Sequence, residues 1–183
     1  MVRAFLAVDV PLPGLAPRPG RPDAPTHATL AFLEDLPLAR VAELGAGLEG
    51  SLRDIPPFAV SARGVGAFPS NARPRVVWAA IQEGAVPLQL VADRVREVLD
   101  RLGVRYDRRP FVPHVTFLRV RSPASARWAA ALLAHPPEGP LGERLVDRVE
   151  LKESELGPGG PTHRVLVSVR LAGPAEGSSS GRA

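Results

Sequence analysis

Two stretches of the sequence, PTHATLAFLE and FVPHVTFLRV, each place a histidine two residues before a threonine: His27 with Thr29, and His114 with Thr116. The chain has only four histidines and four threonines, so random placement would give about 0.1 such pairs. Residues two apart in a strand point to the same side. Each pair therefore presents an imidazole and a hydroxyl on one face of a strand.

These four side chains suit the cleavage of a phosphodiester without a metal. An imidazole with a pKa of about 6.5 can take a proton from water or a ribose hydroxyl, or give one to a departing oxygen. A threonine hydroxyl can donate a hydrogen bond to a non-bridging phosphoryl oxygen, where charge must be stabilised in the transition state. A 2′,3′-cyclic phosphate is a natural substrate, because its strained ring opens with one base and one acid.

Other interpretations of the histidines compete with catalysis. A histidine at a strand end often has only a structural role. Glu34 and Asp35 follow the first pair, but they do not have the spacing of zinc ligands and are expected to be solvated, so no metal or cofactor is predicted. The chain contains neither a phosphate-binding GxxxxGK[ST] loop nor a serine nucleophile elbow.

The elements that must position the pairs follow from hydrophobic periodicity and from proline and glycine. The pattern predicts strands at 3–10, 27–33, 58–63, 75–82, 111–119, near 145–152 and at 163–171, and helices at 37–52, 86–102 and 123–134. A proline-rich loop is predicted at 11–26, because no helix tolerates that density of proline.

The separation of the two histidines, 114 − 27 = 87 residues, is near half of the 183-residue chain. This spacing suggests a duplication in which two β-α-β lobes face each other and direct both pairs into one cleft. We predict a single two-lobed domain over residues 1–173 and a disordered tail over 174–183. Phe32, Phe68 and Trp78 are candidates for stacking on a base, but core positions are expected for all three.

The composition is that of a globular protein, with 45% hydrophobic and 23% charged residues and no cysteine. No apolar run is long enough to span a membrane, and the opening MVRAFLAVDV lacks the layout of a signal peptide, so a cytoplasmic location is expected. The net charge is +4 and Lys152 is the only lysine among 23 basic residues. This excess of arginine fits either a phosphate-bearing partner or a GC-rich genome. The scarcity of asparagine and glutamine suggests a thermophilic source.

Several motifs together resemble those of the RNA 2′,3′-cyclic phosphodiesterases, also called 2′-5′ RNA ligases, of the two-histidine phosphoesterase superfamily. VRAFLAVDV is similar to the opening strand of that family, and HATLAFLED and PHVTFLRV are similar to its two histidine motifs. GVGAFPSNARPRVVWAAI resembles its central region, and LKESELGPGGPTHRVL resembles its closing stretch. The likeness covers nearly the whole chain.

The resemblance implies an α+β bilobal fold, a pseudo-twofold duplication with two antiparallel sheets flanked by helices around a central cleft. It implies hydrolysis of an RNA 2′,3′-cyclic phosphate end to a 2′-phosphate, in which His27 protonates the leaving 3′ oxygen and His114 acts as base on water. Thr29 and Thr116 would hold the phosphoryl oxygens. Arg119 would bind phosphate, provided that a bulge or the strand end turns it toward His114.

Three departures from the family pattern keep alternatives open. The helix usual between the first strand and the first motif is replaced by the proline-rich loop, which could leave apolar surface exposed. His163 stands where the family commonly has tyrosine, and a surface position is expected for it, as is a loop position for His135. The residues before His27 do not match the usual lead-in. RNA 2′-5′ ligation by reversal of ring opening and non-catalytic binding of RNA ends remain the alternatives, and a monomer is expected.

Overall fold

The computed structural model of the protein describes residues 1–19, 25–157 and 160–173. Its elements, in chain order, are β1 (Val2–Asp9), β2 (His27–Leu36), a 3-10 turn (Leu38–Arg40), α1 (Val41–Leu52), β3 (Phe58–Ser70), β4 (Arg73–Glu83), α2 (Ala85–Arg101), β5 (His114–Arg119), α3 (Pro123–Ala134), β6 (Pro140–Val146), β7 (Arg148–Gly157) and β8 (Gly160–Arg170). The predicted tail at 174–183 lies outside the described residues.

The strands form two four-stranded sheets, with the orders β2-β1-β7-β8 and β5-β4-β3-β6. Every strand pair is antiparallel. In both sheets the strand that begins with a histidine of a His-x-Thr pair is an edge strand. The predicted α+β fold with two antiparallel sheets is confirmed.

A continuous apolar core joins the sheets and the helices. The leucines at helical spacing in α1 are buried, as their periodicity predicts. In α2 the predicted stripe is buried at Val91, Val95, Val98 and Leu99, but Leu90 is 46% exposed. The buried residues of both helices pack with alternate residues of the strands, and the largest fully buried side chains are Leu6, Leu30, Leu33, Leu36, Leu44, Leu48, Leu52, Leu88, Leu99, Leu141 and Leu151. Within the described ranges, none of the helices has the length and apolar character needed to cross a bilayer.

Two predicted strands differ from the structure by more than three residues at an end. The glycine-rich stretch after residue 63 is not a connector but continues β3 as far as Ser70, because Gly64, at φ 67°, allows a register shift within the strand. The single strand predicted near 145–152 is two strands in different sheets, β6 and β7. Pro140 and Gly142 in β6 mask the strand pattern, since both residue types usually mark loops.

The loop after β1 contains no helix within residues 11–19, as its prolines predict. Leu12 and Leu15 pack against the core, and the amide of Gly14 donates a hydrogen bond of 2.8 Å to the Leu141 carbonyl in β6. The loop therefore covers apolar surface beside the second sheet, although the missing helix suggested that such surface could be exposed.

Candidate active site

His27 opens β2 and lies in a cluster of rings on one face of the first sheet. It pairs across the strands with Asp9 at the end of β1. Its imidazole stacks on the Phe5 ring, with 4.8 Å between centroids and 27° between planes. The His163 ring stands edge-on to both, 5.3 Å from His27 and 4.8 Å from Phe5. His163 is exposed on β8, as expected, and its ring also adjoins that of the first histidine.

A buried lysine lies beside this cluster. Lys152 is only 6% exposed, and its Nζ is 2.5 Å from Asp9 Oδ1 and 3.0 Å from Glu150 Oε2. Burial alone would lower the pKa of this ammonium, but the hydrogen bonds and negative charges of Asp9 and Glu150 outweigh it and raise the pKa. The lysine is therefore a fixed positive charge near His27.

These surroundings lower the pKa of His27 to about 4. Burial is the largest cause, because a desolvated imidazole disfavours its charged form. The charges of His163 and Lys152 lower the pKa further, and only Asp9 opposes them. The ring is therefore neutral at pH 7 when no ligand shares the site.

Thr29 lies on the same face as His27, as the strand period predicts. Ala7 on β1 pairs with Thr29, and Phe5 pairs with Phe32 after a register shift in β2. The shift keeps Phe32 on the face of Thr29 and leaves its ring 44% exposed and 6.0 Å from the Phe5 ring. The prediction that Phe32 belongs to the core is therefore wrong, because a bulge re-aims it.

His114 opens β5, and the second sheet also surrounds its imidazole with aromatic rings. The ring centroids of Phe68 and Trp78 lie 5.6 and 6.1 Å away, both edge-on. His114 Nδ1 is 2.6 Å from the carbonyl oxygen of Val112. Since a carbonyl only accepts hydrogen bonds, Nδ1 carries the proton and Nε2 of the neutral ring keeps a free lone pair.

Gly66 makes this arrangement possible. A Cβ on Gly66 would lie 2.5 Å from the Trp78 indole, so only glycine lets the indole lie across β3. Phe68 is 41% exposed and Trp78 is half-buried. The core positions predicted for these two aromatic residues are therefore wrong, since both contribute to the surroundings of His114.

A bulge in β5 decides where Arg119 points. Trp78 pairs with Thr116, but its neighbour Val77 pairs with Leu118, so one extra residue is accommodated. Arg119 then pairs with Val76, which puts it on the face of Thr116 rather than the opposite one. This is the turn that the predicted phosphate-binding role requires.

The two edge strands that begin with His27 and His114 lie against each other between the sheets. The amide of Asp107, in the segment before β5, donates a hydrogen bond of 3.0 Å to the Phe32 carbonyl in β2. His135 is apart from this region, exposed at the C-terminal end of α3, as expected. Among the described residues, no three histidines or acidic side chains form a metal-binding group.

Comparison with known proteins gives the family. The model of the 2′-5′ RNA ligase superfamily matches residues 15–157, well over half of the chain and including both His-x-Thr pairs. The chain belongs to this superfamily.

Two thermophile relatives within the superfamily are named RNA 2′,3′-cyclic phosphodiesterase. The protein of Aeropyrum pernix is 34% identical over 156 residues, which are 85% of this chain and 84% of that protein. The protein of Methanothermobacter thermautotrophicus is 32% identical and the match covers 93% of this chain and 99% of that one.

Solved structures agree with the assignment. A crystal structure of a Thermus thermophilus protein superposes with a TM-score of 0.72 at 27% identity, covering 94% of this chain and all of that one. LigT of Escherichia coli, crystallised with 3′-AMP, gives a TM-score of 0.69 at 27% identity and covers 93% and 98% of the two chains.

Sequence patterns do not reveal all the residues around the histidines of this superfamily member. Phe5 reads as an ordinary core residue of β1, and nothing local reveals that it stacks on His27. Lys152 and Glu150 offered one signal, since a lone lysine inside an apolar strand must find carboxylates if it is buried. Asp9 is far from His27 in the sequence, and the two residues pair only because β1 and β2 are neighbouring strands.

Proposed function

We propose that the protein hydrolyses RNA 2′,3′-cyclic phosphate ends to 2′-phosphates, with His27 and His114 as the acid and base. The main observation behind this proposal is that two His-x-Thr strands, one from each sheet, are edge strands that lie against each other. The names of the relatives and the superfamily membership support the same substrate.

His114 suits the base. Its Nδ1 proton is donated to Val112, which leaves Nε2 to take a proton from water. The water oxygen bonds to phosphorus, the bond from phosphorus to the 3′ oxygen breaks, and His27 gives a proton to that oxygen. One water is consumed and the product is a 2′-phosphate with a free 3′-hydroxyl.

His27 must gain a proton before it can act as the acid, because its pKa of about 4 leaves it neutral in the free protein. A phosphodiester anion beside the ring favours the protonated form, since an opposite charge a few ångströms away raises the pKa of an imidazole. Substrate binding thus raises the pKa of His27 against the effect of the Lys152 and His163 charges, and His27 carries the acid proton in the complex.

Thr29, Thr116 and Arg119 are proposed to hold the non-bridging oxygens. Each threonine lies two residues after a histidine and on the same face of its strand. The bulge in β5 gives Arg119 that face as well, and a guanidinium can donate two parallel hydrogen bonds to a phosphate. These contacts grow stronger as negative charge builds on the phosphoryl oxygens.

The remaining parts of the proposal are expectations based on the sequence. The reaction is proposed to need no metal or cofactor, and the protein to act as a monomer in the cytoplasm. Joining of RNA ends would be the reverse of ring opening, with a 5′-hydroxyl in place of water. In water the hydrolytic direction should dominate, because water is in large excess over 5′-hydroxyl groups.

The test is hydrolysis of an oligonucleotide with a 2′,3′-cyclic phosphate end, in EDTA, with the 2′- and 3′-phosphate products separated. The wild-type protein should give the 2′-phosphate only. His27→Ala and His114→Ala should each lower kcat by roughly 100-fold or more. His135→Ala is the matched control, because that histidine is exposed and outside the site. Full activity of the double variant His27→Ala/His114→Ala would refute the proposal, as would loss of activity in EDTA.

The two roles can be told apart with a diester whose leaving group needs no proton, such as a nitrophenyl ester. Loss of the acid should matter little for this substrate, whereas loss of the base should remain severe. His27→Ala should therefore recover much of its activity on the activated ester, and His114→Ala should not. The opposite pattern would exchange the two roles.

A further inference from the structure

Four exposed arginines lie together at the end of β4 and β5 nearest the β3–β4 turn; they are called the arginine track here. Arg73 and Arg75 are among the first residues of β4, Arg119 ends β5, and Arg121 follows two residues later. The amide of Val120 donates a hydrogen bond of 2.9 Å to the Arg75 carbonyl, which ties the two segments to each other.

The arginine track has no carboxylate partner among the residues that the structure describes, since none of its four members makes an ion pair there. Six arginines elsewhere do pair with acids, in Arg40–Glu43, Arg94–Asp54, Arg108–Asp100, Arg109–Asp107, Arg148–Asp147 and Arg164–Glu153. Partial desolvation of its guanidinium and the nearby charge of Arg121 lower the pKa of Arg119. An anion at this place would relieve the repulsion between like charges.

Arg119 and Arg73 continue the proposed active site along one sheet face. Arg73 pairs with Ser70 after a register shift beyond Phe68, which gives it the face of Phe68 and Trp78, and Arg75 is the extra residue of that shift. His114 pairs with Ala80, and Arg119 shares its face through the bulge. Arg73 is seven residues before Ala80 on β4, so at about 3.3 Å per residue it lies roughly 20 Å from His114. A single nucleotide at His114 cannot reach that far, whereas a strand of several nucleotides can.

An exposed aromatic ring lies between the two ends of this path. Phe68 is 41% exposed, pairs with Val76 beside Arg119, and has its ring 5.6 Å from that of His114. Aromatic rings that stack on bases, combined with arginines that follow the phosphates, are how proteins hold single strands without reading their sequence.

We propose that the arginine track binds the phosphates of the RNA strand that leads to the cyclic end, with Phe68 as a stacking surface for a base. The inference rests on the proposed function and extends it, because it makes the preferred substrate an oligonucleotide rather than a nucleoside cyclic phosphate. The two arginines farthest from the histidines, Arg73 and Arg75, should contact only the longer substrate.

The experiment compares Arg73→Gln/Arg75→Gln with the wild type on two substrates, a nucleoside 2′,3′-cyclic phosphate and an oligonucleotide of about six nucleotides with the same end. The double variant should lose about fivefold in kcat/KM on the oligonucleotide at low salt and nothing on the nucleotide. The salt dependence of oligonucleotide binding, measured by fluorescence anisotropy on a 3′-phosphate end, should become shallower by about 1.4 in log–log slope.

Arg53→Gln/Arg101→Gln is the matched control, since these arginines are also exposed and unpaired among the described residues, but Arg53 directly follows α1 and Arg101 ends α2. Equal losses on both substrates, or an equal loss in the control, would overturn the track. If the wild type hydrolyses neither substrate, the proposed function fails instead. The anisotropy comparison then still decides the track, because it needs binding alone.

Discussion

Lowering the pH should destabilise the folded protein through His27 in particular. The ring stacks on Phe5 and lies near the charge of Lys152, and its pKa falls from 6.5 to about 4 on folding. An unfolded chain binds a proton at this histidine below about pH 6.5, whereas the folded chain resists it until about pH 4. The unfolded state therefore binds more protons in this window, and stability is lost as the pH falls through it.

The size of the effect follows from the shift. A shift of 6.5 − 4 = 2.5 in pKa corresponds to about 3 kcal/mol in the free energy of unfolding once both states are protonated. About 2 kcal/mol of this should already be lost between pH 7 and pH 5, because the unfolded histidine is almost fully protonated there.

Urea unfolding at a series of pH values measures this contribution. Other groups also titrate, so the quantity of interest is the difference in the free energy of unfolding between the wild type and His27→Gln, which cannot take up the proton. That difference should change by about 2 kcal/mol from pH 7 to pH 5. His135→Gln, at an exposed position, should follow the wild type. An NMR titration of His27 with a midpoint near its unperturbed value would refute the reasoning about burial and neighbouring charge.

Three further substitutions test single contacts of the site. Gly66→Ala should cost about 2 kcal/mol of stability and lower kcat, measured by urea unfolding and hydrolysis, because the new methyl group displaces the Trp78 indole from His114. Lys152→Met should cost about 3 kcal/mol and raise the pKa of His27 in an NMR titration, since it leaves two carboxylates without their cation. Arg119→Gln should lower kcat/KM roughly tenfold through a lost phosphate contact, without a change in urea midpoint.

Local patterns were enough to predict much of the fold. The helices α1 and α2 follow from leucines and valines at helical spacing, and the prolines of residues 11–19 exclude a helix there. Both His-x-Thr pairs begin strands because apolar and polar residues alternate after each histidine. These features depend on neighbours within a few residues, which the sequence contains directly.

A strand period does not show where bulges fall or which face of a strand is buried. Bulges in β2 and β5 shift which side chains face the site, so Phe32 is exposed and Arg119 turns toward Thr116. Phe68 and Trp78 look like core residues because a strand period fixes two faces but not which one is buried. The contact between His163 and His27 joins β8 and β2, the two edge strands of the first sheet. No local sequence pattern shows that these two strands come together.

The central claim is that the imidazoles of His27 and His114 act on one phosphate. A crystal structure with a bound nucleoside 2′-phosphate, the product of the proposed reaction, tests it most directly. We predict one phosphate with His27 and His114 nitrogens both within hydrogen-bond distance of its oxygens, and with Thr29 or Thr116 donating to the same group. A phosphate bound to only one histidine, with the other ring out of reach, would contradict the account.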